Sequence, residues 1–194
     1  RNLKDNTEEE LIFSEEKVWS PSVSHMQKET NTNEIYISYS SPKTNLKTYI
    51  YNLKTRQKKF VKEQKILDKN YSSKNYITER LECKSHDGRL IPLTITRHKD
   101  TKMDGSANVL LYGYGSYGNS LSFGFSNTRL SLLNRNIIWC DASIRGGRER
   151  GEIWHEEGKM TYKKNSFLDY ISAAKFLIEK KYTYKGGIIG YGGS

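Results

Sequence analysis

Between residues 107 and 191, short apolar segments alternate with amphipathic ones, and this alternation restricts the possible folds more than any other feature of the chain. The apolar runs are NVLLYGYG, IIWCDA and GGIIGY, and the amphipathic segments between them are NTRLSLLNRN and NSFLDYISAAKFLIEK. Such alternation is typical of a mostly parallel sheet with helices packed on its faces. We therefore predict strands near residues 107–112, 137–141 and 187–191, and a helix near residues 166–180.

The predicted helix near residues 166–180 has apolar residues at the i, i+3, i+4 and i+7 positions, which favours one buried face. Ser166 and Asp169, three residues apart, are expected to form a capping box at its start. The expected apolar stripe consists of Phe167, Tyr170, Ile171, Ala174, Leu177 and Ile178.

The first part of the chain, residues 1–75, has a different pattern. EIYISYSS and KTYIYNL alternate apolar and polar residues with a period of two, which predicts an antiparallel meander. The polar stretch DKNYSSKN is the best candidate for a linker, and Asp87-Gly88 after it predicts a hairpin with a two-residue turn.

The charge balance of the chain is strongly basic, with a formal net charge of +10. The basic residues are scattered and form no long block, so we favour a solvated surface over a nucleic-acid or membrane partner. Cys83 and Cys140 have no metal-binding spacing and form no disulfide framework, which indicates a reducing, cytoplasmic location. No apolar run approaches the length of a membrane span, and we expect neither a metal nor a cofactor.

The chain ends with GYGGS, in which a short apolar run leads into two glycines and then Ser194. This is the first part of the G-x-S-x-G elbow, whose sharp turn presents a nucleophilic serine. An ordinary glycine-rich turn would have the same sequence, and these five residues alone do not separate the two interpretations.

The segment YGYGSYG supports the interpretation as an elbow. A strand that ends in glycines can bring backbone N–H groups and a tyrosine hydroxyl beside a reacting carbonyl, and Tyr114, between Gly113 and Gly115, is well placed for this. In α/β-hydrolases the acid and the histidine follow the serine along the chain. We therefore expect no catalytic base among the four histidines that precede Ser194, which are His25, His86, His98 and His155.

Taken together, these motifs resemble the prolyl oligopeptidase family of serine peptidases. Four motifs occur in the order found in that family: VLLYGYGSYG, RLSLLNRN, IRGGRERGEIWHEEGKMTYKKNSFLDYISAAKFLI and the final GGS. The YGSYG and KKNSFLDY versions are most similar to its oligopeptidase B (protease II) branch. The resemblance covers most of residues 76–194 and implies the first half of an α/β-hydrolase sheet there. Residues 34–65 resemble the last strands of the family's β-propeller more weakly, which implies a propeller remnant and linker over residues 1–75.

By position, the resemblance implies that Ser194 is the nucleophile and that the hydroxyl of Tyr114 completes the oxyanion hole. It also implies that Tyr117 and Arg145, the latter in the RGG loop, contact the substrate. The family cleaves short peptides, and oligopeptidase B cuts after Lys or Arg. Arg148 and Arg150 would repel such side chains, which argues against a basic preference.

The sequence shows neither an acid nor a histidine after Ser194, so we interpret the chain as a fragment of such an enzyme that is inactive alone. A complementary downstream chain that carries both residues would make it one half of a split peptidase. A non-catalytic interaction fragment, which pairs through an unfinished sheet edge, is the alternative.

Overall fold

A computed structural model describes residues 6–8, 10–11, 14–23, 32–66 and 68–193. Among the sequence predictions, those for His25 and Ser194 lie outside the described residues. The described strands form one sheet of four strands and a second sheet of five.

The first sheet is an antiparallel meander in which each strand pairs with the next, as the period-two pattern predicts. Tyr39 and Tyr49 stack with their ring centroids 6.0 Å apart, and Ile37 and Tyr51 are buried beside them. The strands are β1 (Ser20–Val23), β2 (Glu34–Ser41), β3 (Thr44–Asn52) and β4 (Lys58–Glu63).

The second sheet has the order β5-β6-β8-β7-β9. Strand β7 lies between β8 and β9 and is parallel to both, which confirms the prediction of three parallel strands. The β5–β6 hairpin joins this group through an antiparallel pairing of β6 with β8. The strands are β5 (Tyr76–Lys84), β6 (Leu90–His98), β7 (Val109–Tyr112), β8 (Ile138–Ala142) and β9 (Ile188–Tyr191).

Three α-helices lie between the strands of the second sheet: α1 (Asn127–Leu133), α2 (Glu152–Glu156) and α3 (Lys164–Glu179). A short 3-10 turn, Met160–Tyr162, leads directly into α3. Leu130 and Leu133 of α1 are buried.

The capping box predicted for Ser166 and Asp169 is wrong. Because the chain enters α3 directly from the 3-10 turn, the helix begins at Lys164 with Lys163 as its N-cap, and Ser166 lies inside the first turn. The buried side chains of Ser166 and Asp169 bond instead to Arg145, whose loop follows β8.

The apolar stripe predicted for α3 is only partly covered. Leu177 is buried, and Tyr170 and Ala174 pack against the core. Phe167 and Ile171 are exposed, because the helix turns Ser166, Asp169 and Ala173 toward the sheet. At the start of this exposed face, Nζ of Lys163 lies 5.9 Å from the ring centroid of Phe167.

The hairpin between β5 and β6 is present, but its turn is longer than the two residues predicted. The ladder closes at the pair Lys84 and Leu90, and the N–H of Ser85 donates to the carbonyl of Arg89 at 2.7 Å. Asp87 lies within this larger turn, where its carboxylate reaches Arg145.

The polar stretch predicted as a linker is held by aromatic packing. The ring of Tyr71 stacks on Tyr76 at 5.7 Å and meets Phe125 edge-on at 5.6 Å. The hydroxyl of Tyr71 donates to the carbonyl of Lys43, in the turn between β2 and β3. These contacts join the four-stranded sheet to the five-stranded one.

Among the described residues, none of the helices is both long and apolar enough to cross a lipid bilayer.

Candidate active site

The candidate site lies where β7 and β9 end. The two strands are parallel, with Tyr112 opposite Tyr191, so the glycine-rich segments that follow them leave the sheet side by side. The N–H of Gly113 donates to the carbonyl of Tyr191 at 3.2 Å. A Cβ atom on Gly192 would lie only 2.8 Å from the carbonyl oxygen of Gly113, so only glycine fits there without a shift of the backbone.

A cavity of about 460 Å³ opens between these two segments and the start of α3. Tyr114 on one side and Gly193 on the other line the same space. Lys163 is the charged side chain of this lining, which otherwise consists of glycine, hydroxyl, aromatic and aliphatic residues. Ligand sites of α/β sheets form at this edge, outside the carboxyl ends of the strands.

Tyr117 belongs to a neighbouring cavity of about 490 Å³, which shares Ser116 and Lys163 with the first. Its side chain is 78% exposed, and its φ of 56° is in the left-handed region that a bulky residue rarely occupies. Its predicted contact with substrate is compatible with this exposure and stays a prediction.

Arg145 lies in the protein interior, with 1% of its side chain exposed. Its guanidinium donates to both carboxylate oxygens of Asp169, at 2.9 and 2.7 Å, and to Asp87 at 2.5 Å. Burial opposes the charge, but these carboxylates outweigh it and raise the pKa of Arg145. Arg145 lines neither of the two cavities, so this geometry favours a structural role over the substrate contact that the sequence predicts.

The loop that follows Arg145 packs directly on the turn that carries Tyr114. A Cβ atom on Gly146 would lie 1.9 Å from the carbonyl oxygen of Gly115. The N–H of Gly118 donates to the carbonyl of Gly146 at 2.9 Å. The loop that the buried Arg145 network holds therefore supports the turn that carries Tyr114.

Lys163 is a site residue that the sequence analysis missed. Its ammonium donates to the carbonyl of Gly115 at 2.5 Å and to Oγ of Ser116 at 2.8 Å. Burial lowers its pKa. In the sequence Lys163 is one of two adjacent lysines before a helix, and nothing in the pattern separates it from Lys164.

His155 has a structural partner. Its Nδ1 lies 3.0 Å from the carbonyl of Gly146, to which it donates. Its side chain also comes within 4.8 Å of the carboxylates of Glu152 and Glu156, but Arg148 and Lys159 pair with those two carboxylates. This group therefore gives no reason to revise the expectation that a metal is not used.

The two arginines that the sequence analysis held against basic substrates are both paired. Arg148 donates to Glu152 at 2.8 Å, and Arg150 bonds to Glu82. This pairing weakens the repulsion expected from the two arginines, and the argument against a basic preference stays a prediction.

Comparison with known proteins agrees with this geometry. Residues 123–194 match the model of the prolyl oligopeptidase family. The chain is 36% identical to dipeptidyl aminopeptidase BI from Pseudoxanthomonas mexicana, over all of the chain and 27% of that relative. It is 37% identical to Protease 2 from Moraxella lacunata, over 84% of the chain and 24% of that relative.

Solved structures show the same similarity. The structure of oligopeptidase B from Leishmania major superposes with a TM-score of 0.85 at 32% identity, over 92% of this chain and 25% of that one. Oligopeptidase B from Trypanosoma brucei with covalently bound antipain gives a TM-score of 0.86 at 30% identity. The mixed α/β structure thus matches the prolyl oligopeptidase fold. This chain, which spans about a quarter of the length of the relatives it matches, is similar to the prolyl oligopeptidase family, whose model matches residues 123–194.

Proposed function

We propose that the chain is part of a serine peptidase that hydrolyses short peptides. Ser194 is the nucleophile, and the hydroxyl of Tyr114 donates to the oxyanion that forms when the serine attacks a carbonyl. The acid and the histidine of the triad come from a segment that follows Ser194 in the complete enzyme. The role of Tyr117 is to contact the substrate beside this centre.

The observation that carries this proposal is the shared cavity. Tyr114 follows β7, whereas Gly193 follows β9, and 78 residues separate the two along the chain. The parallel pairing of β7 with β9 nevertheless brings both to one cavity. A hydroxyl donor that lies across one cavity from the residue before the proposed nucleophile can stabilise the oxyanion of acyl transfer.

We assign residues 1–75 to the end of a β-propeller with its linker, and residues 76–194 to the first half of an α/β-hydrolase domain. The division is supported by the two separate sheets, of which only the second contains parallel strands. A cytoplasmic location is supported by Cys83 and Cys140, which are free, buried thiols.

The oxyanion role of Tyr114 can be tested in a chimera in which this chain replaces the matching segment of Protease 2 from Moraxella lacunata. We expect Tyr114→Phe to lower kcat on the order of 10²-fold, with little change in KM, because the lost hydrogen bond forms in the transition state. Tyr112→Phe is the matched control, since that ring packs on Tyr191 beneath the site. Equal losses for the two variants would contradict the assignment.

A second candidate function is an interaction fragment that pairs with another chain, such as a complementary half of the enzyme. It is favoured by β9, which lies at the edge of its sheet. Ile189 and Tyr191 of this strand are 49% and 55% exposed. An open strand edge with apolar side chains is a template for pairing.

We expect a polypeptide of residues 1–194 to self-associate more strongly as salt rises. The net charge of +10 opposes association, but 0.1 M salt screens it beyond about 10 Å. Light scattering between low and moderate salt measures this. Ile189→Lys should reduce association by charging the edge, whereas Ile153→Lys, at a somewhat more exposed isoleucine on α2, should not. A monomer at all salt concentrations would exclude self-pairing through this edge.

A further inference from the structure

Lys163 bonds to two consecutive residues of the turn that carries Tyr114. Its ammonium donates to the carbonyl of Gly115 at 2.5 Å and to the hydroxyl oxygen of Ser116 at 2.8 Å. Tyr114 is the next residue toward β7. A single side chain from the start of α3 therefore fixes the backbone immediately after the proposed oxyanion donor.

The position of Lys163 is unfavourable for a lysine in two ways. It is the N-cap of a 16-residue helix, and a positive charge is destabilising near a helix N-terminus. No acidic residue in the first turn compensates for it. Its ammonium is also partly removed from water, and this burial lowers its pKa. The adjacent Lys164 is exposed.

The turn that Lys163 holds has an uncommon backbone conformation. Gly115, Tyr117 and Gly118 have φ values of 63°, 56° and 66°, so three of four consecutive residues lie in the left-handed region. A non-glycine residue such as Tyr117 adopts this conformation at a cost and keeps it only when its surroundings enforce it. One restraint is the bond from Gly118 to Gly146, and Lys163 supplies the restraint at the other end.

We infer that Lys163 is a positioning residue, whose ammonium locks the Gly115–Ser116 turn so that the hydroxyl of Tyr114 is held toward the reacting carbonyl. This inference rests on the proposed function, because it acts through Tyr114. Lys163 transfers no proton in this role. Without the ammonium, the turn relaxes and the donor is no longer preorganised, so catalysis is lost while the site persists.

Hydrogen exchange of a polypeptide of residues 1–194 tests whether Lys163 restrains the turn, and this measurement does not depend on catalytic activity. We expect Lys163→Met to speed exchange at the amides of Gly118 and Asn119 by about tenfold or more, because both amides bond within this turn and its support. Lys164→Met is the matched control and should leave them unchanged. Amides of β6 and β8 should keep their protection in both variants, which separates a local effect from global unfolding.

Unchanged exchange at Gly118 and Asn119 in folded Lys163→Met would overturn the inference. Should that variant fail to fold, the parent polypeptide decides the question. A hydrogen-bonded ammonium exchanges its protons slowly enough to be seen by ¹⁵N NMR, so a signal lost in Lys163→Arg but not in Lys164→Arg supports the lock. Absence of any such signal overturns it.

The catalytic half is tested in the Protease 2 chimera. We expect Lys163→Met to lower kcat by about tenfold or more, with KM within about twofold, and Lys163→Arg to recover part of the loss. The decisive measurement is the double variant. If Lys163 acts through Tyr114, then Lys163→Met costs little once Tyr114→Phe is present, because groups that act as a unit are not additive.

These experiments distinguish failure of the positioning role from failure of the proposed function. Equal, multiplicative losses in both backgrounds would show that Lys163 acts independently of Tyr114, and would refute the positioning role while the peptidase assignment stands. An inactive parent chimera combined with the expected exchange result would refute the proposed function but keep the lock on the turn.

Discussion

Replacing Asp169 by alanine is expected to lower the free energy of unfolding by about 3–5 kcal/mol. The change removes the fully buried carboxylate that pairs with two nitrogens of the Arg145 guanidinium and leaves this interior charge to Asp87 and, at 3.6 Å, to Glu157. Asp169 is fully buried, and it accepts hydrogen bonds from the backbone N–H and the side chain of Arg145 and from Ser85. For a chain of this size the loss corresponds to a fall in melting temperature of roughly 10 °C. Thermal and urea unfolding, followed by circular dichroism, measure it.

The matched control is Glu152→Ala. Glu152 also forms two hydrogen bonds with an arginine, Arg148, but that pair is on the surface. Surface pairs contribute little, so we expect a much smaller loss than for Asp169→Ala. Similar losses for Asp169→Ala and Glu152→Ala would contradict the structural role that we assign to the buried network.

A double variant separates the pair from the charge that a single change leaves behind. Asp169→Leu combined with Arg145→Met removes both charges, and buried pairs replaced by apolar residues of similar volume are often nearly neutral. We therefore expect the double variant to be more stable than Asp169→Leu alone. Its loop after β8 should nevertheless be less well fixed, because the bond from the Arg145 backbone to Asp169 is lost as well.

The parallel strands could be predicted because their pattern is local. Val109 and Leu111 of β7, like Ile138 and Cys140 of β8, are apolar residues that end fully buried. A short apolar run between glycine-rich turns favours a buried strand, and this signal lies within the run itself. The family motif YGYGSYG likewise places Tyr114 from the sequence alone, since the residue follows directly from the end of β7.

Asp169 was assigned to the wrong role because its partner is distant in the sequence. Asp169 lies three residues after Ser166, a spacing that also occurs in capping boxes. Its actual partner, Arg145, is 24 residues away and comes into reach only when α3 packs on the sheet. The role of Lys163 depends in the same way on Gly115 and Ser116, almost 50 residues earlier. The periodicity of the sequence does not indicate contacts between residues so far apart in the chain.

A polypeptide of residues 1–194 is expected to hydrolyse no peptide substrate, and a fluorophosphonate should not label it. The hydroxyl of a serine is a weak nucleophile until a histidine, oriented by an acid, takes its proton. Loss of such partners costs on the order of 10⁶-fold in kcat. The four histidines of the chain all precede Ser194, and the one nearest to it in sequence, His155, donates through Nδ1 to the backbone of Gly146.

The Protease 2 chimera should behave in the opposite way, because it adds the segment that follows the serine in Protease 2, a protein to which this chain is similar. We expect stoichiometric labelling of the chimera by the fluorophosphonate, and none after Ser194→Ala, which identifies the labelled residue. Rapid stoichiometric labelling of residues 1–194 alone would instead mean that a competent base lies within them. His155→Ala would then test whether that base is His155, whose bond to Gly146 would have to exchange for one to the serine.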